Sequence, residues 1–374
     1  MINTKEFYDT LLQNDMDFFT GVPDSLLANL CACITDNTPA QKNIIAANEG
    51  NAVGIACGYH IATGHYGVVY LQNSGEGNAI NPLLSIADEE VYSIPMLLII
   101  GWRGEPGTKD EPQHKKQGKV TLALLEAMGI AYAVLQDDYR PQLDAAVAYM
   151  KQSGKPYALV VRKGTFREYK GQKTVADLPL TRERALECVL DDIGGEDFIV
   201  STTGKTSREI FEIREARGQS HAGDFLTVGG MGHTSSIALG MSLGTERNVY
   251  CIDGDGSFIM HMGSFAVTAD KAGANFKYIL NNNGAHESVG GQPTVGFKID
   301  VAAILKAVGF KSVYVAQTED EIHTAMQALA GEKLAALIIN TRQGSRDDLG
   351  RPTVSPKENK EAMMKKFGVG EKQV

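Results

Sequence analysis

The sequence predicts an α/β protein made of two doubly wound parallel-sheet domains with no third, central domain. Three observations carry that reading. Short apolar runs alternate with amphipathic stretches along the chain. One polar, aperiodic stretch interrupts the alternation near the middle. The 40 glycines are spread without low complexity, as many tight strand-to-helix turns require. At 374 residues the chain is long enough for two domains that each bury a core.

In the first half the apolar runs place strands over 17–20, 43–47, 66–72, 96–101, 131–135 and 157–161. Helical periodicity places helices between them over 4–14, 25–33, 49–63 and 140–152. Strands this uniformly apolar belong to a parallel sheet covered on both faces. The stretch 162–181 has no periodicity and carries Gly164, Gly171 and Pro179, so it reads as a linker. The expected domains are therefore 1–165 and 181–374, joined by a linker over 166–180. The second half repeats the pattern, with strands over 198–201, 225–228, 249–253, 276–280, 312–315 and 336–340. After Thr341 a loop rich in glycine, proline and charge leads to a helix near 359–367.

Net charge is −9 and the pI is about 5.5. That balance argues against a nucleic-acid partner, because no excess of cations exists to neutralise phosphates along a duplex. A small anionic substrate needs only a local basic pocket and stays open. The five cysteines are odd in number and form no C-x-x-C, which suits free thiols in a reducing cytoplasm. The N-terminus is polar, and the apolar runs are too short to span a membrane, so no membrane partner is expected.

One constellation carries chemistry. The strand ending near Asp253 runs into Gly254-Asp255-Gly256-Ser257, and a helix is expected from Ser257 through Ala269. The next strand runs into Asn281-Asn282-Asn283-Gly284. A right-handed βαβ unit sets two such strand ends side by side, which brings Asp255 and Asn282 together. Gly254 and Gly256 let backbone N–H groups approach phosphates, and a helix beginning at Ser257 aims its positive end at them. Asp255, Asn282 and a backbone carbonyl near Gly284 would give a hard ion such as Mg²⁺ three oxygens, with diphosphate and water completing the shell. Either piece alone is an ordinary turn former at a strand end. Gly230-Met231-Gly232 offers a weak dinucleotide alternative, with Ser235 where a third glycine or alanine belongs.

The pairing of Gly-Asp-Gly with a later Asn-Asn resembles the signature of thiamine diphosphate enzymes. Both halves are similar to the thiamine diphosphate-dependent 2-keto acid decarboxylases. The likeness includes Phe19-Thr20-Gly21-Val22-Pro23-Asp24-Ser25, Asn73-Ser74-Gly75-Glu76-Gly77-Asn78, Gly101-Trp102-Arg103-Gly104 and the run from Gly344 to Pro352. It implies thiamine diphosphate as cofactor, with a pyrimidine-binding first half and a diphosphate-binding second half. It also implies that Glu49, between the strand over 43–47 and the following helix, hydrogen-bonds the aminopyrimidine ring nitrogen and so activates the cofactor. Without the resemblance Glu49 would read as a first-turn acid complementing a helix dipole. Met231 matches the residue that props the cofactor into its bent shape, and Gly229 matches the carbonyl that holds its amino group. Thr203-Gly204-Lys205 resembles a contact to its diphosphate end.

The chain departs from the better-known pyruvate decarboxylases in two places. A single His114 stands where they carry a His-His pair. Ser288 stands where they carry a glutamate after the Asn ligand. Proton donors therefore do not transfer directly, and Asp24, His114 and His286 are candidates. The lack of a central domain points to the compact members of the family that act on phosphonopyruvate, with sulfopyruvate as the near neighbour. A phosphonate needs fixed cations. The stretch 101–120 is locally basic and reads as a loop able to fold over a site, with Arg103, Lys109, Lys115, Lys116 and Lys119. The tail adds Arg346 and Arg351. The plain alternative for these charges is a solvated surface loop.

The expected activity is decarboxylation of 3-phosphonopyruvate to phosphonoacetaldehyde and CO₂. A carboligase on another 2-keto acid and a non-catalytic cofactor binder are the rivals. The resemblance also implies a homo-oligomer, at least a dimer, with active sites at the interface.

Overall fold

The computed structural model describes residues 1–172 and 175–369. Lys173 and Thr174 of the expected linker, and residues 370–374 of the expected second domain, lie outside the described residues. The chain divides into two compact units. One is Met1–Lys173 with His286–Gln292, and the other is Thr174–Ala285 with Pro293–Val374.

The first unit is built on six parallel strands. They are β1 (Phe18–Gly21), β2 (Asn43–Ile45), β3 (Gly67–Gln72), β4 (Met96–Gly101), β5 (Ala131–Val134) and β6 (Tyr157–Val161), arranged β2-β1-β3-β4-β6-β5. The alternation of side chains along each strand splits them between two cores. Val68, Tyr70, Leu97, Ile99, Leu159 and Val161 join the core on one face. Val69, Leu71, Leu98, Ile100, Ala158 and Val160 join the core on the other. Both faces are covered, which is why the strands are apolar throughout.

The second unit repeats this plan. Its strands are β7 (Phe198–Ser201), β8 (Asp224–Leu226), β9 (Val249–Gly254), β10 (Phe276–Asn282), β13 (Ser312–Ala316) and β14 (Ala335–Asn340); between β10 and β13 the chain forms a separate short pair, β11 (Ala285–His286) and β12 (Gln292–Pro293). The sheet order is β13-β14-β10-β9-β7-β8, all parallel. Tyr250, Ile252, Ile279 and Leu337 face one core, and Cys251, Tyr278, Leu280 and Ile338 face the other. All five cysteines are buried and free. No helix among the described residues is long and apolar enough to cross a membrane.

Four expectations need correction. The helix expected over 25–33 is Ala28–Asn37, because Leu26 and Leu27 are still in the turn anchored by Asp24. The stretch 101–120 is only half loop, since a helix runs over His114–Ala127 and buries Gly118, Thr121 and Leu125 at helical spacing. The helix after β9 begins at Asp255 rather than Ser257. It is also two helices, Asp255–Met260 and Ser264–Lys271, with His261 leaving helical geometry at φ −133°. The last helix starts earlier than expected, at Pro356, where Ser355 and Glu358 form a reciprocal capping box.

Candidate active site

In the first unit Glu49 opens the helix Glu49–Thr63, just after β2. Asn48 caps that helix by accepting from the Asn51 N–H at 2.9 Å. Glu49 is 5% exposed. Its Oε2 accepts from Asn78 Nδ2 at 2.8 Å. Its Oε1 lies against Gly75, where an added Cβ would come within 2.2 Å. A side chain at position 75 would therefore displace the carboxylate, which packs between the Asn73–Gly75 turn and Asn78 of the helix Glu76–Pro82.

The ends of β1, β3 and β4 bring a second group together. Asp24 is fully buried and accepts from Gln72 Nε2 at 2.6 Å and from the Leu26 N–H at 3.0 Å. Burial raises its carboxyl above the ordinary range, against the pull of Gln72 and Arg103. Asn73 Nδ2 donates to the Arg103 carbonyl at 2.8 Å and to Thr121 Oγ1 at 2.9 Å. The Arg103 guanidinium donates to Asp110 through Nε and Nη2, and to Ser25 Oγ through Nη1. His114 is buried and its Nδ1 pairs with Asp110 Oδ1 at 2.9 Å. Arg103 is therefore a strut of this network and not the open cation expected. Lys109 and Lys115 are exposed.

In the second unit Gly254 ends β9, and Asp255 is buried in the first turn of the helix after it. Asn282 ends β10, the neighbouring strand. A Cβ on Gly296 would lie 2.4 Å from Asn282 Oδ1 and 2.9 Å from Asp255 Oδ2. Both oxygens thus face one small space, over which the segment Thr294–Gly296 closes. Thr294 Oγ1 donates to Asp255 Oδ2, and Asn282 Nδ2 donates to the Gly296 carbonyl at 2.9 Å. Burial pushes the Asp255 carboxyl up to about 6, the penalty that a bound divalent cation relieves by stabilising the charged form. The donor set is hard oxygen with a single carboxylate, which fits Mg²⁺ sharing its shell with a diphosphate. The Gly284 carbonyl, expected as a third ligand, accepts the Thr294 N–H at 2.9 Å.

Around this pair, Ser257 Oγ accepts from the Gly232 N–H at 3.1 Å and bonds Asp253. It ties the Gly229–Gly232 turn to the end of β9. Thr203 Oγ1 accepts from the Gly229 N–H at 2.9 Å. Gly204, at φ +96°, precedes the helix Lys205–Ala216. Met231 is half-buried in the same turn. An added Cβ at Gly254 or Gly230 would meet nothing within 4 Å, so the backbone there opens on free space that a diphosphate could approach. Lys205 Nζ donates to Ser345 Oγ at 2.7 Å. Arg346, expected as a substrate cation, is exposed and ion-paired with Glu183, Glu212 and Asp348. Arg351 is exposed. His286 lies in the hairpin segment grouped with the first unit, and desolvation lowers its imidazole to about 4.

Sequence reasoning missed Asn78, Asp110, Thr294 and Gly296. Asp110 and His114 sit four residues apart, a spacing that could have signalled the pair.

Residues 4–127 match the model of the thiamine pyrophosphate enzyme N-terminal binding domain, and residues 202–339 match that of the C-terminal binding domain. A phosphonopyruvate decarboxylase of Streptomyces viridochromogenes is 34% identical over 367 residues, covering 90% of this chain and 88% of that protein. The chain belongs to the thiamine pyrophosphate enzymes. A phosphonopyruvate decarboxylase of Streptomyces hygroscopicus is 32% identical, covering 96% of this chain and 92% of that family member. A sulfopyruvate decarboxylase of Methanosarcina acetivorans is 24% identical over 96% of both chains. In family terms, Glu49 and the network around Asp24 lie within the residues matched to the N-terminal domain. Asp255 and Asn282 lie within those matched to the C-terminal domain.

Proposed function

We propose that the protein decarboxylates 3-phosphonopyruvate to phosphonoacetaldehyde and CO₂, using thiamine diphosphate and Mg²⁺. One observation carries the choice of substrate. Identity reaches 34% and 32% with two phosphonopyruvate decarboxylases along most of their length, and 24% with the sulfopyruvate enzyme. Decarboxylation would draw material irreversibly into a route that makes phosphonates.

When bound, thiamine diphosphate supplies the carbon nucleophile for the keto group and the sink for the electrons released with CO₂. The chain binds, orients and moves protons. Glu49, shielded from water and fixed by Asn78, shares a proton with the aminopyrimidine ring nitrogen. Asp255 and Asn282 would hold Mg²⁺. The N-terminus of the helix Lys205–Ala216, with Thr203 and Gly204 before it, would favour the negative diphosphate. Gly229 and Met231 lie in the turn that would receive the cofactor. His114 delivers the proton that replaces the lost carboxylate, with Asp24 and His286 as further candidates. Lys109, Lys115 and Arg351 supply cations for the phosphonate. The assembly is a homo-oligomer, at least a dimer, in the cytoplasm.

The likeness to a sulfopyruvate decarboxylase supports a second reading, in which a sulfonate takes the place of the phosphonate. The deciding experiment compares kcat/KM on phosphonopyruvate, sulfopyruvate and pyruvate with cofactor and Mg²⁺ present. Preference for phosphonopyruvate is expected. Preference for sulfopyruvate would install the second reading, and no CO₂ from any of the three would remove both.

A further inference from the structure

The carboxylate of Asp110 is the most heavily hydrogen-bonded group in the first unit's network. Its Oδ2 accepts from Arg103 Nε at 2.8 Å and from the Gly104 N–H at 2.8 Å. Its Oδ1 accepts from Arg103 Nη2, from the Glu111 N–H at 2.7 Å and from His114 Nδ1 at 2.9 Å. An ionised carboxylate only accepts, so the hydrogen in the last contact belongs to Nδ1. Arg103 and His114 hold this carboxyl far below the ordinary range against its burial, so it stays ionised at any working pH. The surroundings leave little freedom. Gly104 has φ +68°, and a Cβ there would fall 2.0 Å from the His114 carbonyl. Trp102 Nε1 donates to the Gly118 carbonyl at 2.8 Å, pinning the same turn to the helix that carries His114.

We propose that Asp110 is a positioning residue that fixes His114 with its hydrogen on Nδ1, so that Nε2 is the nitrogen that exchanges the catalytic proton. In that arrangement the imidazolium gives up the Nε2 proton to the carbon that has lost CO₂. It is left as the neutral Nδ1–H form and regains a proton from solvent. The second hydrogen bond of the ring determines which nitrogen is chemically active, and Arg103 serves the chemistry indirectly by keeping Asp110 charged and in place. This inference rests on His114 being the proton donor in the proposed reaction.

Two measurements test it. Long-range ¹H–¹⁵N spectra of the imidazole groups, with His114 assigned by loss of its signals in His114→Gln, should show the Nδ1–H tautomer above the ring's titration in the unaltered protein. They should show loss of that bias in Asp110→Asn. In turnover, Asp110→Asn should lower kcat by about 10²-fold or more while KM moves by less than about threefold, and Asp110→Glu should restore part of the loss. An Nε2–H tautomer in the unaltered protein would overturn the proposal, as would an Asp110→Asn enzyme with unchanged kcat. The spectra judge the pairing even if phosphonopyruvate is not the substrate. The substrate comparison above judges the reaction even if the pairing fails.

Discussion

Asn78, in the helix Glu76–Pro82, donates its side-chain amide to Oε2 of Glu49 at 2.8 Å, and a Cβ on the preceding Gly75 would come within 2.2 Å of Oε1. A carboxylate gripped this way has one orientation. Glu49→Gln keeps the shape and removes the proton, so kcat should fall by about 10³-fold while cofactor binding, followed by calorimetry, stays near that of the unaltered protein. Asn78→Ala should cost less, about 10-fold in kcat, because the proton remains and only its aim is lost. Abolished cofactor binding in Glu49→Gln would show a structural role for the residue and not a catalytic one.

Gly296 stands where a Cβ would meet both Asn282 Oδ1 and Asp255 Oδ2. Gly296→Ala should therefore push the two oxygens apart and raise the Mg²⁺ concentration for half-activation by about 10-fold or more. Gly263→Ala is the control, since its Cβ would meet nothing within 4 Å. Equal Mg²⁺ titrations for the two variants would place the metal elsewhere.

Arg346 separates the basic residues expected to bind substrate into two kinds. Three carboxylates already hold its guanidinium, and Glu212 Oε1 also accepts the Gly350 N–H at 2.6 Å. Arg346→Ala should change KM by less than about threefold, whereas Lys115→Ala should raise it by about 10-fold or more. A large KM effect at Arg346 with none at Lys115 would reverse the assignment.

The contrast shows what the sequence made legible. Asp255 and Asn282 were readable because strand, turn and spacing are local and the handedness of a βαβ unit does the rest. The place of Glu49 between a strand and a helix was readable in the same way, but only the family resemblance marks it out from an ordinary first-turn acid. Arg103 stands out in the sequence, but its partner Asp110 does not, because nothing local says which acid a cation will meet. The start of the helix His114–Ala127 was hidden because its buried face begins with His114, Gly118 and Thr121, none of which is a large apolar residue. Apolar residues at helical spacing continue through Phe258, Met262 and Phe265, so the break at His261 left no trace. Gly296 and Thr294 come from a segment well after Asn282 in the chain, and only folding lays them over the metal pair.

Glu76 gives the remaining prediction. It is buried, its Oε1 has no partner in the structure, and it faces a cavity lined by Val53, Val69, Leu71, Leu98, Leu125 and Met128. Burial alone pushes its carboxyl from 4.5 up to about 8. Below about 4.5 both the folded and the unfolded chain hold this proton. Between about 4.5 and about 8 only the folded chain does, so its contribution to stability falls as pH rises through that window, by up to about 1.4 kcal/mol per pH unit. Glu76→Gln keeps the size and removes the titration. The variant should melt higher than the unaltered protein at pH 8, with the gap shrinking steadily toward pH 5. Melting curves that stay parallel from pH 5 to pH 8 would mean that the carboxyl finds water or a partner in solution.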